Sequence, residues 1–301
     1  MCIRDSVQVA RRDRHPATAF GIGVEQLAQR HLADRGDQTL DRCPLLRRAD
    51  VGHGCEISRE YERAAHCSGD VTPVTPADSA PAFPIASSVT AQAERLVALR
   101  VPEFAGIGAD QLRDHARTLV AESGDGRDEG GAVLAVHPSL LSAARLAALM
   151  RRDGKAGFVV VDMTDLADFT PTDDITLPDA PLYLLDDVTR GDDMLDWTPT
   201  DAHAELTARG RTPLTVSEGI SWVLQQPDAL EPGACFMCIG SRKPKPTGGL
   251  DSRTPALWIS GGTGRDGKEN KGAPKVGWCW AGNHHTWLGF ASTSGRRGPV
   301  Q

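Results

Sequence analysis

The chain has 301 residues, 40% of them apolar, and a formal net charge of −7. Such a composition suits one or two globular domains with an ordinary core, and no apolar run approaches the roughly 18 residues of a membrane span. The start lacks the apolar stretch of a secretory signal, and seven cysteines stand without a regular frame, so reduced thiols in a cytoplasmic protein are the expectation.

In chain order, the first six residues, MCIRDS, resemble the translation of a sequencing adapter and are set aside. Up to Asp70 the chain carries eleven arginines and no lysine, and nothing sustains a helical period. Cys43, His53, Cys55, His66 and Cys67 invite a metal reading, but their spacing lacks the paired knuckles of zinc sites. A proline-rich stretch over 70–84 reads as a linker. Residues 1–85 are therefore expected to be a non-native or disordered extension, 86–294 a single domain and 295–301 a tail.

Within the domain, helical spacing predicts helices over 90–99, 110–120 and 139–150, the last closed by Arg151, Arg152 and Gly154. Apolar runs predict strands at 132–136, 158–161 and 181–188, with 158–161 as a central strand. Thr198 before Pro199 opens a further helix that Gly210 stops. Thr215 and Glu218 form a capping box ahead of Val216, Ile220, Val223 and Leu224. Four of the six tryptophans then fall within 255–292, where three runs (256–260, 275–281 and 286–291) predict an antiparallel β-meander. Alternation puts Val276, Trp278 and Trp280 on one face as core, and Gly277, Cys279 and Ala281 on the other. The fold class is α+β, with helices packed on a mixed sheet and the Trp-rich meander last.

The segments GRTPLTVSEGI (210–220), CFMCIGSR (235–242), PALWIS (255–260) and GWCWAGNHHTWLGFAS (277–292) occur in this order. The series resembles a bacterial family of unknown function, DUF5701, over roughly 89–292. The resemblance implies a domain boundary and brings no activity, ligand or catalytic residue.

Two function classes remain open. Residues 86–233 hold 25 acidic against 12 basic residues, whereas 234–301 hold 3 against 10. Such asymmetry points either to two complementary parts of one domain or to a basic surface with an anionic partner. The first reading is a binding or interaction module on a basic aromatic C-terminal surface, with Arg242, Lys268, Lys271 and Asn283 as contacts. Its partner would be an anionic ligand or a protein, not a membrane or nucleic acid, and no cofactor is expected. The second reading is an enzyme with Cys279 as nucleophile and His285 as base, or a zinc site adding the CxxC of Cys235 and Cys238. In a strand those two cysteines face opposite sides. Gly262, Gly264 and Gly267 spell GxGxxG, but no helix follows to meet a pyrophosphate.

Overall fold

Ser88 opens the first described helix, its hydroxyl accepting a hydrogen bond from the Ala91 amide at 3.1 Å as an N-cap does. The structure, a computed structural model, describes residues 88–121 and 131–299. The expected extension over 1–85, with its cysteines and histidines, lies outside those residues. Helix α1 (Val89–Ala98) buries Val89, Gln92, Ala93 and Leu96, the stripe of a helix with one inward face. α2 (Val101–Ala105) follows at once, and α3 (Ala109–Ala121) buries Leu112, Ala116 and Leu119.

β1 (Ala132–Val136) is buried throughout. The helix expected over 139–150 is only α4 (Ala143–Ala147). Asp153 and Gly154 both take positive φ, 48° and 76°, and turn β2 (Arg151–Arg152) back onto β3 (Lys155–Ala156). An Asp-Gly pair in this conformation makes a type I′ hairpin, so the basic residues belong to a strand and not to a helix end. The expected central strand at 158–161 contributes only β4 (Phe158–Val159), at a sheet edge. The chain continues through β5 (Thr170–Pro171), β6 (Leu182–Asp186), α5 (Pro199–Ala208), β7 (Thr212–Pro213) and α6 (Val216–Gln225). It ends in β8 (Cys235–Met237), β9 (Ser241–Arg242), β10 (Arg253–Ile259), β11 (Pro274–Trp280), β12 (Leu288–Phe290), β13 (Ser292–Thr293) and β14 (Gly295–Arg297). The fold is α+β.

Two sheets organise these elements. One is antiparallel, in the order β1-β6-β14, with Leu134 opposite Leu184. The other is mixed, in the order β12-β8-β10-β11-β4, with parallel pairs at both ends. The predicted meander is corrected here. β10 and β11 form its hairpin, with Trp258 opposite Lys275, but β12 runs parallel to β8 on the far side. The flank of β11 at Lys275 and Val276 is already taken by β4, and beside β8 both Leu288 and Phe290 become fully buried.

The five-stranded sheet is covered on both faces. Phe236, Cys238, Leu257, Ile259 and Val276 join the larger apolar cluster with α6. Cys235, Met237, Ala256, Trp258 and Cys279 join a second cluster with Ala202 and Leu206 of α5. Alternation therefore assigns Val276 and Trp278 against Cys279 as the sequence pattern predicts. Of the tryptophans in this segment, Trp258 and Trp287 are buried, while Trp278 and Trp280 are half-buried. Trp280 is thus not a core residue: it lies beyond Val276, where β10 still pairs with β11 but β4 no longer flanks it on the other side.

All ten residues of α6 are buried, so its polar side chains must find partners inside the protein. The capping box is formed: the Thr215 hydroxyl accepts from the Glu218 amide at 3.4 Å, and the Glu218 carboxylate accepts from the Thr215 amide at 2.7 Å. Fully buried Glu218 also accepts from Tyr183 Oη at 3.0 Å and from Arg296 Nε and Nη2 at 2.7 and 2.8 Å. Arg296 lies in the segment expected to be a tail. It is instead on β14, a paired strand, because a buried carboxylate requires a cation.

Arg296→Met should cost about 3–5 kcal/mol, since it strands a buried carboxylate, whereas Arg297→Ala, at an exposed pair, should cost no more than about 1 kcal/mol. Urea midpoints measure both. Equal midpoints for the two variants would show that the Glu218 pair is not what anchors β14.

Candidate functional site

The candidate residues of the basic, aromatic segment are distributed along the β10–β11 hairpin. Its seven-residue strands hold the two ends about 20 Å apart. Lys268 and Lys271 are exposed in the connecting loop. Arg242, by contrast, is half-buried at the other end, where its Nη2 donates to the Asp251 carbonyl at 2.7 Å. Burial lowers the pKa of Arg242. These three cations therefore do not form one open face. Asn283 is half-buried, and its amide closes a turn on the Trp280 carbonyl at 3.2 Å.

Most of the remaining positive charge is neutralised within the fold. Arg253 donates to Asp165 at 2.6 and 3.1 Å and to both oxygens of Asp251 at 3.0 and 3.1 Å. Lys243 bridges Asp165 at 2.8 Å and Asp168 at 2.7 Å. The hydrogen bonds from Arg253 and Lys243 hold the Asp165 carboxyl well below the usual carboxylate range. Acids of the 162–180 loop thus meet bases of the C-terminal part, which accounts for much of the charge asymmetry.

Clamped in this way, Arg253 spreads its guanidinium 5.4 Å from the Phe169 ring and 5.9 Å from the Trp278 ring. Trp278 packs edge-on against Trp280, with centroids 4.7 Å apart at 69°. Arg253 faces Trp280 across the strands. The result is a half-exposed aromatic pair beside a fixed guanidinium.

At the loop end, buried Lys275 donates to Asp266, and the Ser260 hydroxyl donates to the same carboxylate oxygen at 2.7 Å. Lys275 Nζ also lies 4.6 Å from the centre of the Trp258 ring. Burial lowers the lysine pKa, an effect that Asp266 partly offsets. This pair was not legible as a site, although the alternation of Lys275 with Gly277 and Cys279 signals that it points inward. Gly277 lies under the indole of Trp258, where a Cβ would come within 2.3 Å of the ring. The glycines of GxGxxG lead into short 3-10 turns, Gly264–Asp266 and Lys268–Asn270, and not into a helix. The loop is shaped to close over Lys275, not to point helix amides at a pyrophosphate.

The sulfur and imidazole candidates are all internal. Cys235 and Cys279 belong to one apolar cluster and Cys238 to the other, across the sheet. His285 is buried, its ring centre 6.1 Å from that of Trp287, and its neighbour His284 donates from Nδ1 to the Asp196 carbonyl at 2.6 Å. The structure thus gathers Cys235, Cys279 and His285 around the Trp258–Trp287 pair and leaves Cys238 on the opposite face. Burial pushes the Cys235 thiol up to about 12 and holds that of Cys238 well above its ordinary value. Protonated buried thiols are poor nucleophiles and poor ligands.

A family model described as "Family of unknown function (DUF5701)" matches residues 95–299. No curated protein and no solved structure matches the chain.

Two outcomes test these assignments. The unfolded chain binds more protons than the folded one just below the ordinary lysine value of 10.5, so the Lys275 contribution to stability rises as pH climbs toward it. The stability difference between the parent and Lys275→Met should therefore shift in favour of the parent between about pH 8 and about pH 10. A pH-independent difference would mean a solvated ammonium. Iodoacetamide at about pH 8 should label Cys235 and Cys238 only as fast as the domain unfolds, as peptide mapping by mass spectrometry can show.

Proposed function

Since the chain belongs to the Family of unknown function (DUF5701), its activity has to be argued from its geometry, and we propose a binding module that takes an extended segment of a protein partner. The observation that carries this reading is the half-exposed Trp278–Trp280 pair beside the clamped Arg253. Tryptophan and arginine anchors are characteristic of interface centres, where large rigid rings lose little entropy on binding. Beyond Val276 the flank of β11 has no strand partner among the described residues. An extended peptide laid there would gain main-chain hydrogen bonds and stack on the aromatic pair.

Charge favours a protein over an anionic ligand at this end. Arg242, Lys243 and Arg253 stand beside Asp165, Asp168 and Asp251, three cations against three carboxylates. Little net field remains to attract phosphate backbones. The enzyme or zinc reading of Cys279 and His285 with Cys235 and Cys238 draws no support from thiols buried on two faces of a sheet.

The test is peptide display against the purified chain, followed by binding measurements on Trp280→Ala. Because Trp280 is half-buried, the variant should lose less than about 2 kcal/mol of stability, whereas Trp258→Ala, in the core, should lose about 3–5 kcal/mol. Selected peptides should bind the parent and lose at least about tenfold in affinity with Trp280→Ala. Peptides that bind both proteins equally, or the absence of any enrichment, would overturn the reading.

A further inference from the structure

Away from the hairpin, the turn at Leu99 and Arg100, α2, the end of α4 and β2 border a solvent-open cavity of about 230 Å³. Arg100, Arg145 and Arg151 line it, and no carboxylate does. This is unusual in a chain of net charge −7. The remaining wall is apolar: Leu99 and Leu149, the Ala148 methyl group and Phe104. Phe104 is 38% exposed, one of the few large apolar side chains that the described fold leaves uncovered.

The three guanidinium groups differ in how they are held. Arg151 Nη1 donates to the carbonyls of Ala148 at 2.7 Å and Met150 at 2.8 Å, which fixes the group and leaves its other nitrogens outside those bonds. Arg100 pairs with Glu103 through Nε and Nη2 and stands 5.7 Å from the Phe104 ring. Its backbone has φ of +65°, a conformation that glycine or asparagine would adopt at lower cost. Strain of this kind at a non-glycine residue is a recurrent mark of ligand sites. Arg145 makes no hydrogen bond or ion pair among the described residues.

We propose that this cavity binds a small amphiphilic carboxylate, an aromatic or short aliphatic group ending in –COO⁻. The planar fork of arginine matches a carboxylate with two parallel hydrogen bonds, and Arg145 with Arg151 supplies it. The apolar wall takes the tail. At about 230 Å³ the cavity has room for a ring, with the charged end of the ligand left toward its open side. The site is independent of the hairpin surface proposed for a protein partner.

The probe is 4-phenylbutyrate, titrated calorimetrically into the full chain, with 4-phenylbutanol and acetate as the uncharged and tail-less comparisons. Saturable one-to-one binding of phenylbutyrate with a Kd below about 1 mM is expected, at least about tenfold tighter than either comparison. Arg145→Gln, at an exposed position, should weaken it at least about fivefold with an unchanged thermal melt. Ala148→Phe, which fills the cavity from an exposed helix end, should abolish it. Equal binding of the alcohol, undiminished binding in both variants, or no saturation up to about 5 mM would overturn the proposal.

Discussion

A fully buried carboxylate at the start of a fully buried helix is the constraint on which this fold depends. Glu218 must keep its charge solvated by protein groups alone, and four donors converge on it from three separate places: the Thr215 amide, Tyr183 of β6, and two nitrogens of Arg296 on β14. An uncompensated charge there would cost several kcal/mol, so helix, central strand and C-terminal strand are specified together. The other polar residues of α6 extend the same logic. Ser221 accepts from the Val136 amide of β1 at 3.1 Å and donates to the Ser217 carbonyl at 2.8 Å. Gly219 leaves room for Cys238, whose Sγ would lie 2.4 Å from an added Cβ. The helix is therefore matched to β1, β6 and β14 at once.

The last ten residues of the paired region complete this arrangement by crossing between the sheets. β12 lies in the five-stranded sheet beside β8, β13 pairs with β7, and β14 closes the three-stranded sheet beside β6. Gly191 and Gly289 allow that crossing, because a Cβ on Gly191 would sit 2.4 Å from the Phe290 carbonyl and one on Gly289 would sit 2.3 Å from the Arg190 carbonyl. The tryptophan-rich motif is thus less a self-contained unit than the strip that joins the two sheets. Its buried rings, Trp258 and Trp287, meet edge-on at 6.3 Å and seal the face opposite α6.

Local signals in the sequence were sound where the cause is local. The capping box at Thr215 and Glu218, the Thr198–Pro199 helix start, the opposite faces of Cys235 and Cys238 and the opposition of Val276 and Trp278 to Cys279 all follow from residues within a few positions of one another. What could not be read was pairing between distant segments. Nothing near Leu288 announces that its strand neighbours Cys235, and nothing near Arg296 announces a carboxylate 78 positions earlier. The three apolar runs therefore looked like a meander and the end of the chain like a tail. At 151–156, the short-range Asp-Gly signal outweighed alanine-rich helix propensity, as a type I′ turn next to short strands can.

The same distinction governs the candidate sites. Charge counted along the chain suggested a basic surface, but ionic neutralisation depends on the folded neighbourhood, and Asp165 lies 88 positions from the Arg253 that it holds. Once those pairs form, Lys243, Arg253, Lys275 and Arg296 are spent on internal order, and Lys268 and Lys271 stay exposed in the loop. The features left facing outward are of another kind: a tryptophan pair beyond the covered part of β11, and a cavity with three arginines and no carboxylate in its lining. Neither stands out as a motif. The tryptophans read as core because alternation reports which face a residue takes and not how far its covering strand extends. The arginines are spread from 100 to 151 and become neighbours only because α2 turns sharply at Arg100 and the Asp153–Gly154 hairpin places Arg151 beside α4. Surfaces of this sort are built by backbone geometry, and their chemistry follows from which groups the fold brings together at the surface.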